Sequence, residues 1–404
     1  MKILHVCGLH EGGGWIAANR MNAALQKFGI ESSMSPLGIT PHRGPQGKNS
    51  LADRFRSVIW NVLSSSTNCS SKKLGIFGGT DAVDAINSSD ADIVHFHSPE
   101  YIIPIQHFPK IRKKIVWKLC DSWAFTGVWQ HPNVLENDIR WMEGYSWKNK
   151  PKSSHGIDID KWIWLWKKHC WKNLNVTFTA PSRWAAECFK KSALFRGQEC
   201  YYIPNCIDSS VFHPYDKTEC RKEFGLPADK KLILFGAMDA GATLKGSKLL
   251  PHILQYLAEN YDAEDYHLVV FGPIMENGMM QDFAIPYSFT GRLDSPLKIA
   301  HLYSACDVFL CPSLIDNSPN TCIESISCGT PVAAFDVGGI GDIVDPGIDG
   351  YLAEPYSIQD FAKGIVCCLN DIQNPCLTEK KKQRFSEEKM ARSLLEIYKG
   401  IMEK

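Results

Sequence analysis

Short apolar runs recur along the chain, each stopped by glycine, proline or a polar turn. Most lead into a stretch whose apolar positions follow helical spacing, the alternation that builds α/β domains with parallel sheets. Lys2–Cys7 reads as a strand, and residues 8–14 as a glycine loop. Residues 15–28 then have helical spacing, with Ile16, Met21, Leu25 and Phe28 as apolar positions, closed by Gly29. Further strands are predicted at 92–97, 176–181, from Lys231 onward and at 267–272. Helices are predicted at 51–63 and 386–404, and a loop at 238–243. Val308–Cys311 is an apolar run of the kind that forms a buried parallel strand, stopped by Pro312 and Ser313. A polar loop follows, then a helix from Asn320 or Thr321 to Gly329, then a β-branched and apolar strand at 330–335.

This last stretch organises the chain. A strand, loop and helix in that order set unpaired helix N–H groups at the mouth of a parallel sheet, where anions dock. Asp316 and Glu324 bracket that mouth with seven residues between them. A carboxylate accepts two hydrogen bonds at once and so suits vicinal hydroxyls. Amides and carboxylates together fit a ligand with phosphates in its middle and polyols at its ends, as in a nucleotide-sugar. Gly12, Gly13 and Gly14 at a strand-to-helix turn let a backbone approach a phosphate closely. A dinucleotide oxidoreductase or epimerase would want Gly-x-Gly-x-x-Gly with a later acid, and Tyr-x-x-x-Lys; neither pattern is present.

Composition narrows the setting. With 404 residues, two or three domains are expected. The net charge is zero, yet residues 1–208 carry +9 and residues 209–404 carry −9. The basic half suits an anionic partner, or the two halves simply attract each other. The 15 cysteines are scattered without a Cys-x-x-Cys pair, which fits reduced thiols in a cytoplasmic protein. The opening apolar run is short for a signal peptide, and none approaches the ~20 residues of a membrane helix. Ten of the 12 tryptophans fall between Trp117 and Trp184, among Lys148, Lys150, Lys152, Lys167, Lys168 and Lys172. Such a mixture suits a bilayer interface or a sugar-stacking surface, and equally a helix packed on several sides.

Several motifs resemble one family. Pro-Ser before the loop, Asp316-x7-Glu324 and Cys-Gly-Thr-Pro-Val after it resemble the donor signature of retaining GT-B glycosyltransferases of family 4, the glycosyl transferases group 1. That signature usually reads Glu-x7-Glu. The variation to Asp is also seen in bacterial surface-polysaccharide members of the O-antigen, colanic-acid or capsule type. His95-Phe96-His97, Asp121-Ser-Trp123-Ala-Phe-Thr-Gly, Ile-Pro-Asn-Cys-Ile-Asp and Lys245-Gly246 resemble further family segments. Cys120 stands where members commonly have a histidine near the reacting sugar. A thiol neither holds a positive charge nor donates as strongly as an imidazole.

The resemblance implies an α/β, GT-B fold of two Rossmann-like domains facing across a cleft. Residues 1–208 would be the acceptor domain, 209–385 the nucleotide-sugar domain and 386–404 a helix crossing back to the first. It implies Glu324 on the ribose and Lys245 with loop amides on the diphosphate. Asp316, Asn317, Ser318, Asn320 and Thr321 would surround the transferred sugar. Gly13 and Gly14 would lie opposite the diphosphate, and Gly291 with Arg292 would meet the nucleobase. Asp121, Lys245 and Asp316 are the expected catalytic residues, and His95, His97, Cys120 and Trp123 the acceptor side. The expected donor is UDP- or GDP-linked, with no other cofactor and no metal at its diphosphate. The expected acceptor is a glycan or lipid-linked oligosaccharide, with peripheral contact at the inner face of the plasma membrane and no nucleic-acid partner. A catalytically weak, donor-binding partner of another transferase is the alternative, and Cys120 motivates it.

Overall fold

A computed structural model describes residues 1–38, 73–131, 138–152, 156–236, 243–262, 264–272, 283–372 and 379–403. The helix expected at 51–63 and residues 238–242 of the loop expected at 238–243 lie outside these residues. The chain divides into two compact units, one formed by residues 1–203 with 391–404, the other by residues 204–390.

Among the described residues, the first unit holds a six-stranded sheet ordered β2-β1-β3-β4-β5-β6. Its strands are β1 (Lys2–Cys7), β2 (Glu31–Met34), β3 (Ile93–His97), β4 (Lys114–Lys118), β5 (Val176–Ala180) and β6 (Cys200–Tyr202). All neighbours run parallel. Strand β3 is buried along its whole length, as expected of a central strand covered on both faces. The helices start where a side chain can satisfy their free amides. Ser182 Oγ accepts from Ala185 N and Asp158 Oδ1 from Lys161 N, heading the helices Arg183–Lys191 and Ile159–Cys170.

Two expectations change here. The helix expected from Trp15 begins at Gly12, so Gly13 and Gly14 form its first turn and are not part of a loop. Gly12 heads it at φ +82°, a conformation that favours glycine. The tryptophan-rich region is mostly interior, since Trp117, Trp123, Trp141, Trp164 and Trp171 lie in the core. Lys167 is buried with them. Its ammonium donates to the carbonyls of Trp123, Thr126 and Gly127 and lies 3.7 Å from the centre of the Trp123 ring. The helix Ile159–Cys170 is nevertheless aromatic on two sides. Trp164 faces inward, while Trp162, Leu165, Trp166 and His169 form an exposed stripe at spacing i, i+3, i+4, i+7.

The second unit holds another six-stranded parallel sheet, ordered β12-β11-β10-β7-β8-β9. These strands are β7 (Lys231–Gly236), β8 (Tyr266–Phe271), β9 (Tyr287–Gly291), β10 (Val308–Cys311), β11 (Val332–Phe335) and β12 (Gly350–Ala353). Counted within the unit this is the order 3-2-1-4-5-6 of a dinucleotide-type fold. Residues 204–208 belong to it and not to the first unit. Ile207 N donates to Phe385 O at 3.0 Å, and Ile207 bridges to Ser386. The final helix, Glu387–Met402, joins the first unit from Ala391 onward. There Tyr398 meets His95 edge-on, with Oη 2.7 Å from Nδ1. No described helix is long and apolar enough to cross a membrane.

One buried ion pair closes the second unit. The Lys381 ammonium donates to Ile343 O and to the fully buried Asp349 carboxylate, whose carboxyl is held above its usual range by burial despite that partner. Replacing Lys381 by methionine strands a buried charge. Urea unfolding of Lys381→Met should show a loss of about 3–5 kcal/mol, and a loss within experimental error would contradict this reading.

Candidate functional site

In the second unit the strand order reverses between β7 and β10, and the loops leaving those strands stand side by side. Crevices at such a reversal are where open parallel sheets hold ligands. Two backbone features stitch the loops together. Leu314 N donates to Leu244 O at 2.9 Å. Gly246 sits at φ +74° with Pro312 O where a Cβ would project, so any side chain there would collide with backbone.

This stitching brings Lys245 and Asp316, 71 positions apart, to 2.6 Å between Nζ and Oδ2. The lysine side chain is 37% exposed and the aspartate 12%. Burial would lower the Lys245 pKa, but the Asp316 carboxylate reverses that and raises it to about 12, so the ammonium stays charged. Asp316 is held from behind. Its carbonyl accepts from Gly339 N at 2.8 Å, and Gly338, at φ +60°, packs so closely on it that a side chain would not fit.

The helix Asn320–Ser327 starts after Pro319, and no side chain caps it. Cys322 N in its first turn donates to Pro319 O at 3.2 Å, and the helix start as a whole presents its positive end to an anion. Asn205 Nδ2 fixes the approach to this helix, donating to Asn320 Oδ1 at 2.9 Å and to Ser318 O at 3.3 Å. Asn317 is buried, while Ser318 and Thr321 are partly open. Glu324 lies one turn into the helix, only 6% exposed, and its Oε2 accepts from Tyr303 Oη at 3.3 Å. Tyr356, held at φ +66°, donates to Leu314 O at 3.0 Å and braces the β10 loop. Gly291 ends the edge strand β9 at φ +74° and accepts from Gly272 N through its carbonyl. Arg292 beside it is exposed and pairs with Asp294 at 2.9 Å. Lys245, Asp316, Asn317, Ser318, Asn320, Thr321 and Glu324 thus come from adjoining loops and one helix, whereas Gly291 and Arg292 stand two strands away.

The first-unit residues are placed differently. Asp121 caps its own turn, with Oδ1 accepting from Trp123 N at 2.9 Å and Oδ2 from Gln130 Nε2 at 3.2 Å. Burial raises its carboxyl above the usual range, favouring a group able to hold a proton. Glu100, which sequence reasoning passed over, is buried nearby, and its carboxyl is pushed well up by burial and by Asp121. Burial lifts the Cys120 thiol to about 11, so it stays neutral at physiological pH. Trp123 is wholly interior, with Nε1 donating to Lys73 O at 2.7 Å. His95 and His97 are also fully buried and face His5, not an open surface. These three side chains are core groups among the described residues. Tyr303, Tyr356 and Asn205 were missed as well, because partners far apart in sequence leave no local signal.

Comparison with known proteins gives the same outline. Residues 229–371 match the family model described as Glycosyl transferases group 1. A D-inositol 3-phosphate glycosyltransferase of Mycobacteroides abscessus is 31% identical over 168 residues, 39% of this chain and 36% of that protein. A 2-deoxystreptamine glucosyltransferase of Streptomyces kanamyceticus is 29% identical over 42% of this chain and 45% of its own length. The matches to these curated relatives therefore span less than half of their length. Across the whole chain the fold is similar to sucrose-phosphate synthase from Thermosynechococcus elongatus, with TM-score 0.66 at 18% identity, covering 100% of this chain and 99% of that one. It is also similar to Anabaena HepE solved with UDP-glucose, with TM-score 0.62 at 16% identity, covering 99% and 100%. Residues 229–371 thus resemble the group 1 glycosyl transferases, in a chain whose fold is that of GT-B proteins with two Rossmann-like domains.

Proposed function

We propose that the chain transfers a sugar from a UDP- or GDP-linked donor to a hydroxyl of a glycan or lipid-linked oligosaccharide in polysaccharide assembly. In this reading the anomeric configuration is retained and no metal holds the diphosphate. The observation that carries it is the Lys245–Asp316 pair beside an uncapped helix N-terminus, with the Glu324 carboxylate one turn inside. Glu324 takes the ribose hydroxyls, and Lys245 with the first amides of the helix takes the diphosphate. Asp316, Asn317 and Ser318 take the transferred sugar. Gly291 and Arg292 offer backbone to the base, while Gly13 and Gly14 complete the phosphate side and Asp121 orients the acceptor hydroxyl.

As the bond from the sugar's anomeric carbon to the phosphate oxygen breaks, negative charge grows on the leaving diphosphate. A fixed ammonium and aligned amides aimed there stabilise the transition state more than the ground state. The acceptor oxygen bonds to the anomeric carbon on the same face, and its proton passes to the leaving phosphate. Without donor, Lys245 is neutralised by Asp316. Donor binding then exchanges partners: the ammonium turns to phosphate, and the released carboxylate accepts from sugar hydroxyls. The HepE complex with UDP-glucose supports a UDP donor on grounds of fold alone. The curated relatives act on a cyclitol phosphate and an aminocyclitol by name, so a small polyol belongs among the acceptors tested.

A second reading has one observation in its favour. The neutral Cys120 thiol stands where the family commonly has a histidine, which suits a donor-binding partner subunit of low activity. Protein that binds nucleotide-sugar but neither transfers nor hydrolyses it would favour that reading.

Peripheral membrane contact at the cytoplasmic face is part of the proposal. The exposed stripe Trp162, Leu165 and Trp166, flanked by Lys168 and Lys172 and accompanied by Trp147 at 84% exposure, is the surface that would make it.

Two outcomes are expected. Lys245→Ala should slow transfer by ~10²-fold or more, while Asp316→Asn, which frees the lysine, should tighten nucleoside diphosphate binding yet slow transfer. Near-wild-type turnover in Lys245→Ala, measured by product formation, would refute the role of the pair. Liposomes rich in anionic lipid should float the protein at low salt, and Trp162→Ser with Trp166→Ser should abolish flotation. Wild-type protein left at the bottom of the gradient would remove the membrane assignment.

A further inference from the structure

Three histidines outside the donor site meet in the first unit. His5 on β1 and His95 on β3 are register partners, and His97 follows two residues later on the same face of β3. All three are fully buried. Their rings stack with centroids 4.7–5.3 Å apart. Three neutral imidazoles carry three lone pairs and three N–H groups. Within the described residues only two contacts use them. His5 Nδ1 lies 3.0 Å from His97 Nε2, and His95 Nδ1 lies 2.7 Å from Tyr398 Oη. His5 Nε2, His95 Nε2 and His97 Nδ1 are buried with no hydrogen-bond partner among the described residues. No choice of tautomers satisfies them all, and buried polar groups left unpaired are costly.

We propose that His5, His95 and His97 form a binding site for a divalent transition-metal ion, zinc first among them. One candidate ligand nitrogen from each ring lies within 4.8 Å of the others. Tetrahedral zinc with Zn–N bonds of ~2.0–2.1 Å needs nitrogens ~3.4 Å apart. His5 Nδ1 and His97 Nε2, 3.0 Å apart, are already close to that and would supply two ligands, with His95 Nε2 the third once its ring swings inward. Of the three buried nitrogens without a partner among the described residues, the ion would satisfy that of His95. Tyr398 supplies the outer support that metal-bound histidines use. With its oxygen accepting from His95 Nδ1–H, the tautomer is fixed and the Nε2 lone pair is free for an ion.

Imidazole ligates metals in its neutral form, and all three rings are fully buried. Lys118 is buried at the register position facing His97, and Cys7 is buried at the position facing it on β1. Lys118 opposes a dication, so Lys118→Met should tighten binding. Since Tyr398 lies on the C-terminal helix, an ion here fastens that helix to the β1–β3 crevice of its own unit. The site is structural and stands apart from the proposed donor chemistry.

The test uses the full chain, stripped with a chelator and titrated with Zn²⁺ alone. One equivalent should bind, and Co²⁺ in its place should show the visible absorption of a tetrahedral nitrogen site. His97→Gln should lose that equivalent, while His252→Gln, at an exposed position in the second unit, should keep it. Tyr398→Phe retains the ring packing and should bind ~10–100-fold more weakly. It provides the decision should His97→Gln fail to fold. Wild-type protein that takes up no equivalent, or wild-type affinity in either His97→Gln or Tyr398→Phe, would overturn the proposal.

Discussion

The arrangement proposed for the donor depends on one constraint, the stitching of the loops after β7 and β10. Among the described residues of the loop after β7, Lys245 sits at the end of a single 3-10 turn, Thr243–Lys245. Gly246 against Pro312, and Leu314 N on Leu244 O, convert two separate loops into one surface. The Lys245–Asp316 contact follows from that surface. A charged pair this open gains little stability by itself. Its value lies in pre-positioning, since an ammonium and a carboxylate are already fixed beside a helix start before a ligand arrives.

Both units apply the same rule to different ends. Each places its distinctive polar residues where the strand order reverses. In the second unit this is the β7/β10 crevice, where the polar groups remain partly open. In the first it is β1/β3, where three histidines are sealed beneath Tyr398. The open crevice suits a ligand that comes and goes, and the sealed one suits an ion that stays.

Much of this was legible in the sequence where the signal is local. The runs Lys2–Cys7 and Val308–Cys311 became strands with those bounds, because an apolar run ended by glycine or proline has few other uses in a buried parallel sheet. The helix between Asn320 and Gly329 was legible for a similar reason, with Gly329 at φ +81° closing it. Asp316 and Glu324 stood out through their spacing around that helix start. What was not legible required distant partners. Nothing near Tyr303 announces a contact with Glu324, and nothing near Glu100 announces Asp121 as its electrostatic neighbour. The mixture of tryptophans and lysines around Trp164 fits a bilayer surface and a packed helix equally; in the structure Trp164 lies inside, and the ammonium of Lys167, satisfied by three buried carbonyls, goes in with it. The glycine run misled for a different reason, as a helix starts at Gly12 once the strand above it fixes the entry.

The central claim is that one pocket of the second unit grips an activated sugar by its ribose, its diphosphate and its sugar hydroxyls. Calorimetric titration of the wild-type chain and of Glu324→Ala with UDP-glucose and GDP-mannose tests this most directly. The account predicts saturable binding of at least one of these by the wild type and its loss in Glu324→Ala, with the thermal midpoint of the variant kept. Equal affinity in the two proteins would contradict it.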